Sequence, residues 1–156
     1  IVPPLLESFM PEAIVSQHGC DSHREDELSH LMTSVDGQRE AALTISGLAD
    51  KLCGGRWIAV GGGGYNLYSV VPRVWSHLMA IVAGQPVPLR TPVPEPWREY
   101  VLSTYGVQAP LMMGEDADTW WRSWEVGYNP SDAVDRTVMA TRKAVFPLFG
   151  LDPWFD

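Results

Sequence analysis

Along the first 84 residues, short apolar runs alternate with longer stretches in which apolar positions recur every three or four residues. Residues 5–9 read as the end of a helix closed by Pro11. Ala13-Ile14-Val15-Ser16-Gln17 is an apolar run of strand length, expected to be buried. A sharp polar turn follows at 18–23, and residues 24–26 are too polar for a core and read as loop. Beyond Asp36, the residues Ala41, Ile45, Leu48 and Leu52 fall at offsets of four, three and four, which places them on one helical face, and Gly54-Gly55 ends that helix. Trp57-Ile58-Ala59-Val60 is a second strand and runs without a break into Gly61-Gly62-Gly63-Gly64-Tyr65. Pro72 suits a helix start, and Val74, Trp75, Leu78, Ile81 and Val82 continue a helix that Gly84 can stop. Strand, helix, strand, helix is the order of an α/β unit with parallel strands and crossover helices. Functional loops in such a unit lie at the carboxyl ends of the strands, where both unusual loops fall.

Beyond Gly84 the pattern breaks. Pro86, Pro88, Pro92, Pro94, Pro96 and Pro110 imply an extended wrap, interrupted by a short helix over 97–105. Two C-terminal helices are expected. One lies in 116–128 with Trp120, Trp121 and Trp124, and the other follows Asn129-Pro130-Ser131-Asp132 and carries Val134, Val138 and Val145. Residues 1–84 therefore read as part of an α/β domain, and 85–156 as a proline-rich wrap with C-terminal helices packed on the same domain.

Composition narrows the function. With 156 residues, 46% apolar and 19% charged, the chain is globular rather than disordered. Eleven basic against nineteen acidic residues give a net charge of -8, the wrong sign for phosphate backbones or an anionic membrane surface, so neither nucleic acid nor membrane is an expected partner. The longest helical candidate for a membrane span, 70–83, is broken by Pro72, Arg73, Ser76 and His77. Ile1-Val2-Pro3-Pro4 opens without an initiator Met or a secretion signal, an opening expected from processing or truncation. Cys20 and Cys53 are too few to staple such a fold, so a reducing cytoplasm is the expected compartment.

Two loops hold the candidate chemistry. Four consecutive glycines are entropically unfavourable unless something must approach the backbone closely. A phosphate cradle is one reading, but no Gly-Lys-Ser/Thr follows and Asn66 spoils Gly-x-Gly-x-x-Gly. A narrow slot walled by bare backbone, with the Tyr65 phenol at its end, is the second; a tight turn with Tyr65 as a partly buried core aromatic is the third. Asp21, just past a strand end, suits a cation, a substrate or a plain turn. Asp21-Ser22-His23 has two-ligand metal spacing with Asp26 nearby. His18, His30 and His77 are isolated by comparison, and His77 reads as a packing or surface residue.

Gln17-His18-Gly19-Cys20-Asp21-Ser22-His23, Glu25-Asp26-Glu27-Leu28, Gly61-Gly62-Gly63-Gly64-Tyr65-Asn66 and Val70-Val71-Pro72-Arg73-Val74-Trp75 occur in that order. Together they resemble the C-terminal portion of the histone deacetylase-like family. The Val-Val-Pro-Arg-x-Trp block and Arg142-Lys143-Ala144-Val145-Phe146-Pro147 are similar to its bacterial acetoin-utilisation branch. The resemblance implies part of a parallel-sheet, arginase/deacetylase-like three-layer α/β fold with an irregular helical C-terminal wrap. It implies that Asp21 is a ligand of a catalytic divalent metal, zinc or alternatively iron, and that His23 is not. Tyr65 is then the hydrogen-bond donor to the acyl oxygen, Gly63 and Gly64 line an acyl-lysine tunnel, and Leu28 sits at its rim. The chemistry is coherent, because a metal lowers the pKa of bound water to about 7 and polarises the amide carbonyl, while a phenol stabilises the developing oxyanion.

The family's paired histidines and its Asp-x-His ligand block have no match here, and Glu27 and Tyr68 fall near places where some members bind inositol phosphates with basic residues. A parent protein is therefore expected to hydrolyse acyl-lysine on an acetylated protein, with the remaining N-terminal part of the same polypeptide as partner. The 156 residues alone are expected to be inactive. The alternatives are an acetylpolyamine or other small acylamide hydrolase, and a non-catalytic interaction module that has kept the fold.

Overall fold

The computed structural model describes residues 1–29, 31–120 and 124–156; His30 and Trp121, both singled out above, lie outside them. The two apolar runs form strands β1 (Ile14–Gln17) and β2 (Trp57–Val60), neighbours in one two-stranded sheet. Ile14 N donates to Arg56 O (2.9 Å) and His18 N to Val60 O (2.8 Å), so the register advances four residues in the same direction on each strand and the pairing is parallel. Parallel strands need a long crossover, supplied here by α2 (Val35–Cys53), and the chain is of the α/β class. After β2 the glycines lead to α3 (Val70–Val82), whose buried residues Val70, Arg73, Val74, His77, Leu78 and Ile81 keep a strict helical spacing.

The chain divides into two compact units. One comprises 15–47 and 57–119. In it Ala42, Leu78 and Ile81 form a core against Leu43, Trp57, Ala59 and Trp75. The opposite face of the strands is open, with Val15 69% and Ile58 58% exposed. The proline-rich wrap becomes two extended stretches flanking α4 (Glu95–Tyr105), joined where Val93 N donates to Leu111 O and Met113 N to Thr91 O (both 2.9 Å).

The other unit comprises 1–14, 48–56 and 120–156. It contains α1 (Val2–Phe9) and α5 (Ala133–Val145). Asp132 caps α5, accepting from Val134 N (2.7 Å) and Asp135 N (3.4 Å), as its place before the helix predicts. Arg142 is buried between the rings of Trp124 and Phe146, 4.5 Å from each centroid, and its Nε donates to Pro153 O (2.6 Å).

Four expectations change. The strand over 13–17, expected to be buried, keeps only Ile14 inside, with Val15 69% exposed, because one face of the two-stranded sheet is uncovered. The buried stripe of α2 is rotated: Ala42, Leu48, Ala49 and Cys53 are buried, Ile45 and Leu52 are half-buried, and Ala41 is exposed. Small side chains take the innermost positions, so the hydrophobicity of Ile45 and Leu52 marks the flanks of the contact rather than its centre. The expected helix in 116–128 reduces, among the described residues, to a 3-10 turn at Trp124–Val126. Asp116 (φ 49°) and Gly127 (φ 102°) are left-handed, a conformation that interrupts a right-handed helix near both ends of this stretch. Asp26 lies in a loop as expected, but although the stretch 24–26 reads as too polar for a core its side chain is buried, its carboxylate taking backbone amides.

Candidate functional site

The parallel pairing of β1 and β2 delivers the loops after Gln17 and Val60 to the same end of the sheet. The ladder continues past both strands, because Cys20 N donates to Gly63 O (2.7 Å). α3 steadies this region: Trp75 Nε1 donates to His18 O (3.0 Å), and its ring lies against the backbone of Gly61. Gln17 Oε1 accepts from Gly19 N (3.2 Å), fixing the turn out of β1.

Close approach explains the glycines. A Cβ on Gly63 would stand 2.1 Å from Asp21 Oδ2, and one on Gly64 would stand 2.5 Å from Cys20 Sγ and 2.9 Å from Val71 Cγ2. At Gly64 a methyl would have to displace packed Cys20 and Val71, while at Gly63 it would displace only the Asp21 carboxylate from its present place. The Asp21 carboxylate thus rests directly on backbone. Among the described residues no hydrogen bond reaches it, and it is half-buried. Tyr65 is 50% exposed and Leu28 67% exposed, so neither serves as a core side chain. One carboxylate joins them: Asp26 Oδ2 accepts from Tyr65 N (2.9 Å) and Oδ1 from Leu28 N (3.0 Å). The structure therefore brings Asp21 to Gly63 and Gly64 to Cys20, and it links Tyr65 to Leu28 through Asp26.

Burial works against a charge on Asp26, but amides from Leu28, Tyr65, Asn66 and Ser29 outweigh it and hold the carboxyl below its usual range. Burial, followed by the charges of Asp21 and Asp26, pushes the Cys20 thiol up to about 11, so this cysteine stays a protonated packing group and not a nucleophile. His18 is depressed by burial, and its Nε2 meets Ser16 Oγ at 2.7 Å.

His23 turns into the protein. Glu25 N donates to its Nδ1 (3.0 Å), which leaves the proton on Nε2, and Nε2 donates to Glu115 Oε1 (2.9 Å). Glu115 also binds Arg73 Nη2 (2.8 Å) and Arg24 Nη2 (3.2 Å). Burial raises the Glu115 pKa, yet the His23 hydrogen bond and the guanidinium groups of Arg73 and Arg24 win and hold it at about 2. His77, fully inside, places Nε2 3.1 Å from Met113 O and is a packing residue. Sequence reasoning missed the structural use of Asp26 and Glu115. For Asp26 the signal existed, since an Asp two residues before a loop amide is an Asx turn.

Among the described residues no group of three His, Cys, Asp or Glu side chains is placed to hold a metal. Asp21 offers one oxygen-ligand position, while catalytic zinc usually takes three protein ligands, so these residues fit part of a metal site and not a whole one.

The histone deacetylase domain model matches residues 1–82, more than half of the chain. The chain belongs to the histone deacetylase domain family. Among its relatives, the acetoin utilization protein AcuC of Staphylococcus xylosus is 40% identical over 96 residues, covering 62% of this chain and 25% of that protein. The protein of the same name from Bacillus subtilis (strain 168) is 43% identical over 76 residues, covering 49% and 20%. The chain thus spans about a quarter of the length of the curated relatives it matches. A crystal structure of the HDA15 HD domain aligns at 22% identity and a TM-score of 0.46, covering 69% of this chain and 29% of that one. Among the described residues no helix is long and apolar enough to cross a membrane.

Proposed function

We propose that the protein carrying this chain is a metal-dependent amidohydrolase that removes acyl groups from lysine side chains of acetylated proteins in the cytoplasm. The observation that carries the reading is the loop pair itself. A carboxylate with no hydrogen-bond partner among the described residues, Asp21, rests on bare glycine backbone, with a half-exposed tyrosine, Tyr65, in the same glycine loop, in a chain of the histone deacetylase domain family. Asp21 contributes one metal ligand, and the others come from the N-terminal part of the same polypeptide, within the three-layer fold that this α/β unit completes. The metal is zinc, with iron the alternative that an oxygen and imidazole set also accepts.

On this chain's side, the absent side chains of Gly63 and Gly64 leave a wall thin enough for an acyl-lysine stem. Leu28 supplies an apolar rim, and Tyr65 Oη donates to the acyl oxygen as negative charge builds on it. The 156 residues alone carry no turnover, because one ligand does not make the site.

The test uses the full-length protein with an acetyl-lysine peptide. Tyr65→Phe is expected to keep its metal content and lose about a hundredfold or more in kcat, the range for one oxyanion donor. Asp21→Ala is expected to lose metal. Wild-type turnover in Tyr65→Phe with chemistry rate-limiting would reduce Tyr65 to a packing residue and overturn the reading.

A further inference from the structure

We propose that Asp26 is a positioning residue, whose single carboxylate fixes the Tyr65 backbone and the Leu28 rim relative to each other. This rests on the role given to Tyr65 above. A run of four glycines has no side chains with which to hold the residue that follows it, and such a segment gives up more conformational entropy on ordering than any other. Tyr65 is half exposed, so packing does not fix its ring either. The Cys20 N to Gly63 O hydrogen bond (2.7 Å) holds the glycines, and past them the residue that binds Tyr65 is Asp26. Its two oxygens divide between the loops, Oδ2 taking Tyr65 N at 2.9 Å and Oδ1 taking Leu28 N at 3.0 Å. The amides of Asn66 and Ser29 act on the same carboxylate.

The next residue strengthens the tie. Asn66 Nδ2 donates to Glu25 O (3.3 Å), its Oδ1 accepts from Ser69 N (3.0 Å), and its carbonyl accepts from Val71 N (3.1 Å) at the start of α3. Tyr65 is therefore held between Asp26 on one side and a helix N-terminus on the other. Asp26 also sits two residues from Leu28, so a shift of its carboxylate moves the rim and the phenol together. With both oxygens already accepting amide protons, Asp26 works as an anchor rather than as a metal ligand. A displacement of about 1 Å in such a group is enough to lower turnover by about a hundredfold.

The experiment is a double-mutant cycle in the full-length, metal-loaded protein with an acetyl-lysine peptide. Asp26→Asn keeps the shape but turns an NH2 toward an amide donor. It is expected to lower kcat by about ten- to a hundredfold with metal content unchanged. In the Tyr65→Phe background, where there is no hydroxyl left to misplace, Asp26→Asn should change kcat by less than about threefold. Effects that multiply in the double variant would show that Asp26 does not act through the phenol and would overturn the inference. A Tyr65→Phe variant with full turnover removes the reading beneath it instead, and the inference falls with it. If Asp26→Asn does not fold, amide exchange in the unmodified protein decides. The Tyr65 and Leu28 amides are expected to be protected and to open together; rapid exchange at either one overturns the proposal.

Discussion

The loop pair at the carboxyl ends of β1 and β2 and the ion cluster around Glu115 both gather charged and polar side chains, but they are built in opposite ways. In the loop pair the features that stand out are things left undone: a carboxylate with no hydrogen-bond partner among the described residues, side chains missing at Gly63 and Gly64, and a tyrosine left half exposed. Around Glu115 the ligands are all taken. Arg73 donates to Ser69 O (2.7 Å), Gly114 O (3.2 Å) and Glu115 (2.8 Å), His23 uses both ring nitrogens, and Asp36 accepts from Glu115 N (2.9 Å) and Ala117 N (2.8 Å). The acid shifted furthest from its ordinary value, Glu115, belongs to the second region. A perturbed carboxylate marks chemistry only when a substrate can reach it; here it marks a clamp that joins 114–117 to the starts of α2 and α3.

The sharpest way to break this contrast is to remove the clamp. Glu115→Ala leaves the buried Arg73 guanidinium without its counter-charge, and breaking a buried pair from one side destabilises by about 3–5 kcal/mol. Denaturant unfolding of the full-length protein should show that loss. A change below about 1 kcal/mol would mean that the cluster is solvated in solution and that its burial carries no structural weight.

Acid sharpens the same point without a mutation. The Glu115 carboxyl titrates near 2 when folded and near 4.5 when unfolded, so its contribution is fully present above pH 4.5 and fades as the pH falls toward 2. A shift of that size is worth about 3 kcal/mol at neutral pH. Glu115→Gln should flatten stability against pH between about 4.5 and 2. A wild-type slope in that variant would assign acid sensitivity to other carboxylates.

The two regions also differ in how far the sequence disclosed them. The strands, α2, α3, α4, the α5 cap and the glycine loop follow from local pattern, and so does the placing of Asp21 and Tyr65 at one sheet edge. The clamp does not. Glu115 lies 92 residues from His23 and 42 from Arg73, in a stretch where proline and glycine erase periodicity, and nothing local says which carboxylate a buried arginine will find. The rotation of α2 was hidden for a different reason: alanine gives little hydrophobic signal yet allows the closest approach, so Ala42 and Ala49 outrank Ile45 in burial. The helix expected in 116–128 is, among the described residues, only a 3-10 turn, and the left-handed backbone at Asp116 and Gly127 that interrupts it has no signal in the apolar spacing.

A smaller effect tests the loop pair's side of the comparison. Gly64→Ala forces a methyl into Cys20 Sγ and Val71 and should destabilise by about 1–3 kcal/mol, the range for overpacking a filled site. Gly63→Ala meets only the Asp21 carboxyl group, Oδ2 at 2.1 Å and Cγ at 2.6 Å, a side chain that has to turn aside while the packed core stays in place. It should leave unfolding nearly unchanged and lower the metal content of the full-length protein. Equal stability losses in the two variants would show that the strip is needed for packing alone.

The smallest effect comes from a glycine that neither region uses. Gly47 lies inside α2, exposed, and a Cβ built there meets nothing within 4 Å. Its backbone is helical, so alanine can adopt the same conformation while narrowing the freedom of the unfolded chain. Gly47→Ala should therefore stabilise by about 0.5–1 kcal/mol and leave turnover of the full-length protein untouched. The value of this variant lies in its sign. If alanine stabilises at Gly47 and destabilises at Gly64, the glycines after β2 are required by what touches them, Cys20 and Asp21, and not by a general need for a flexible chain. Destabilisation at Gly47 would instead show a neighbour packed on that face of α2, and its exposure here would not describe the full-length protein.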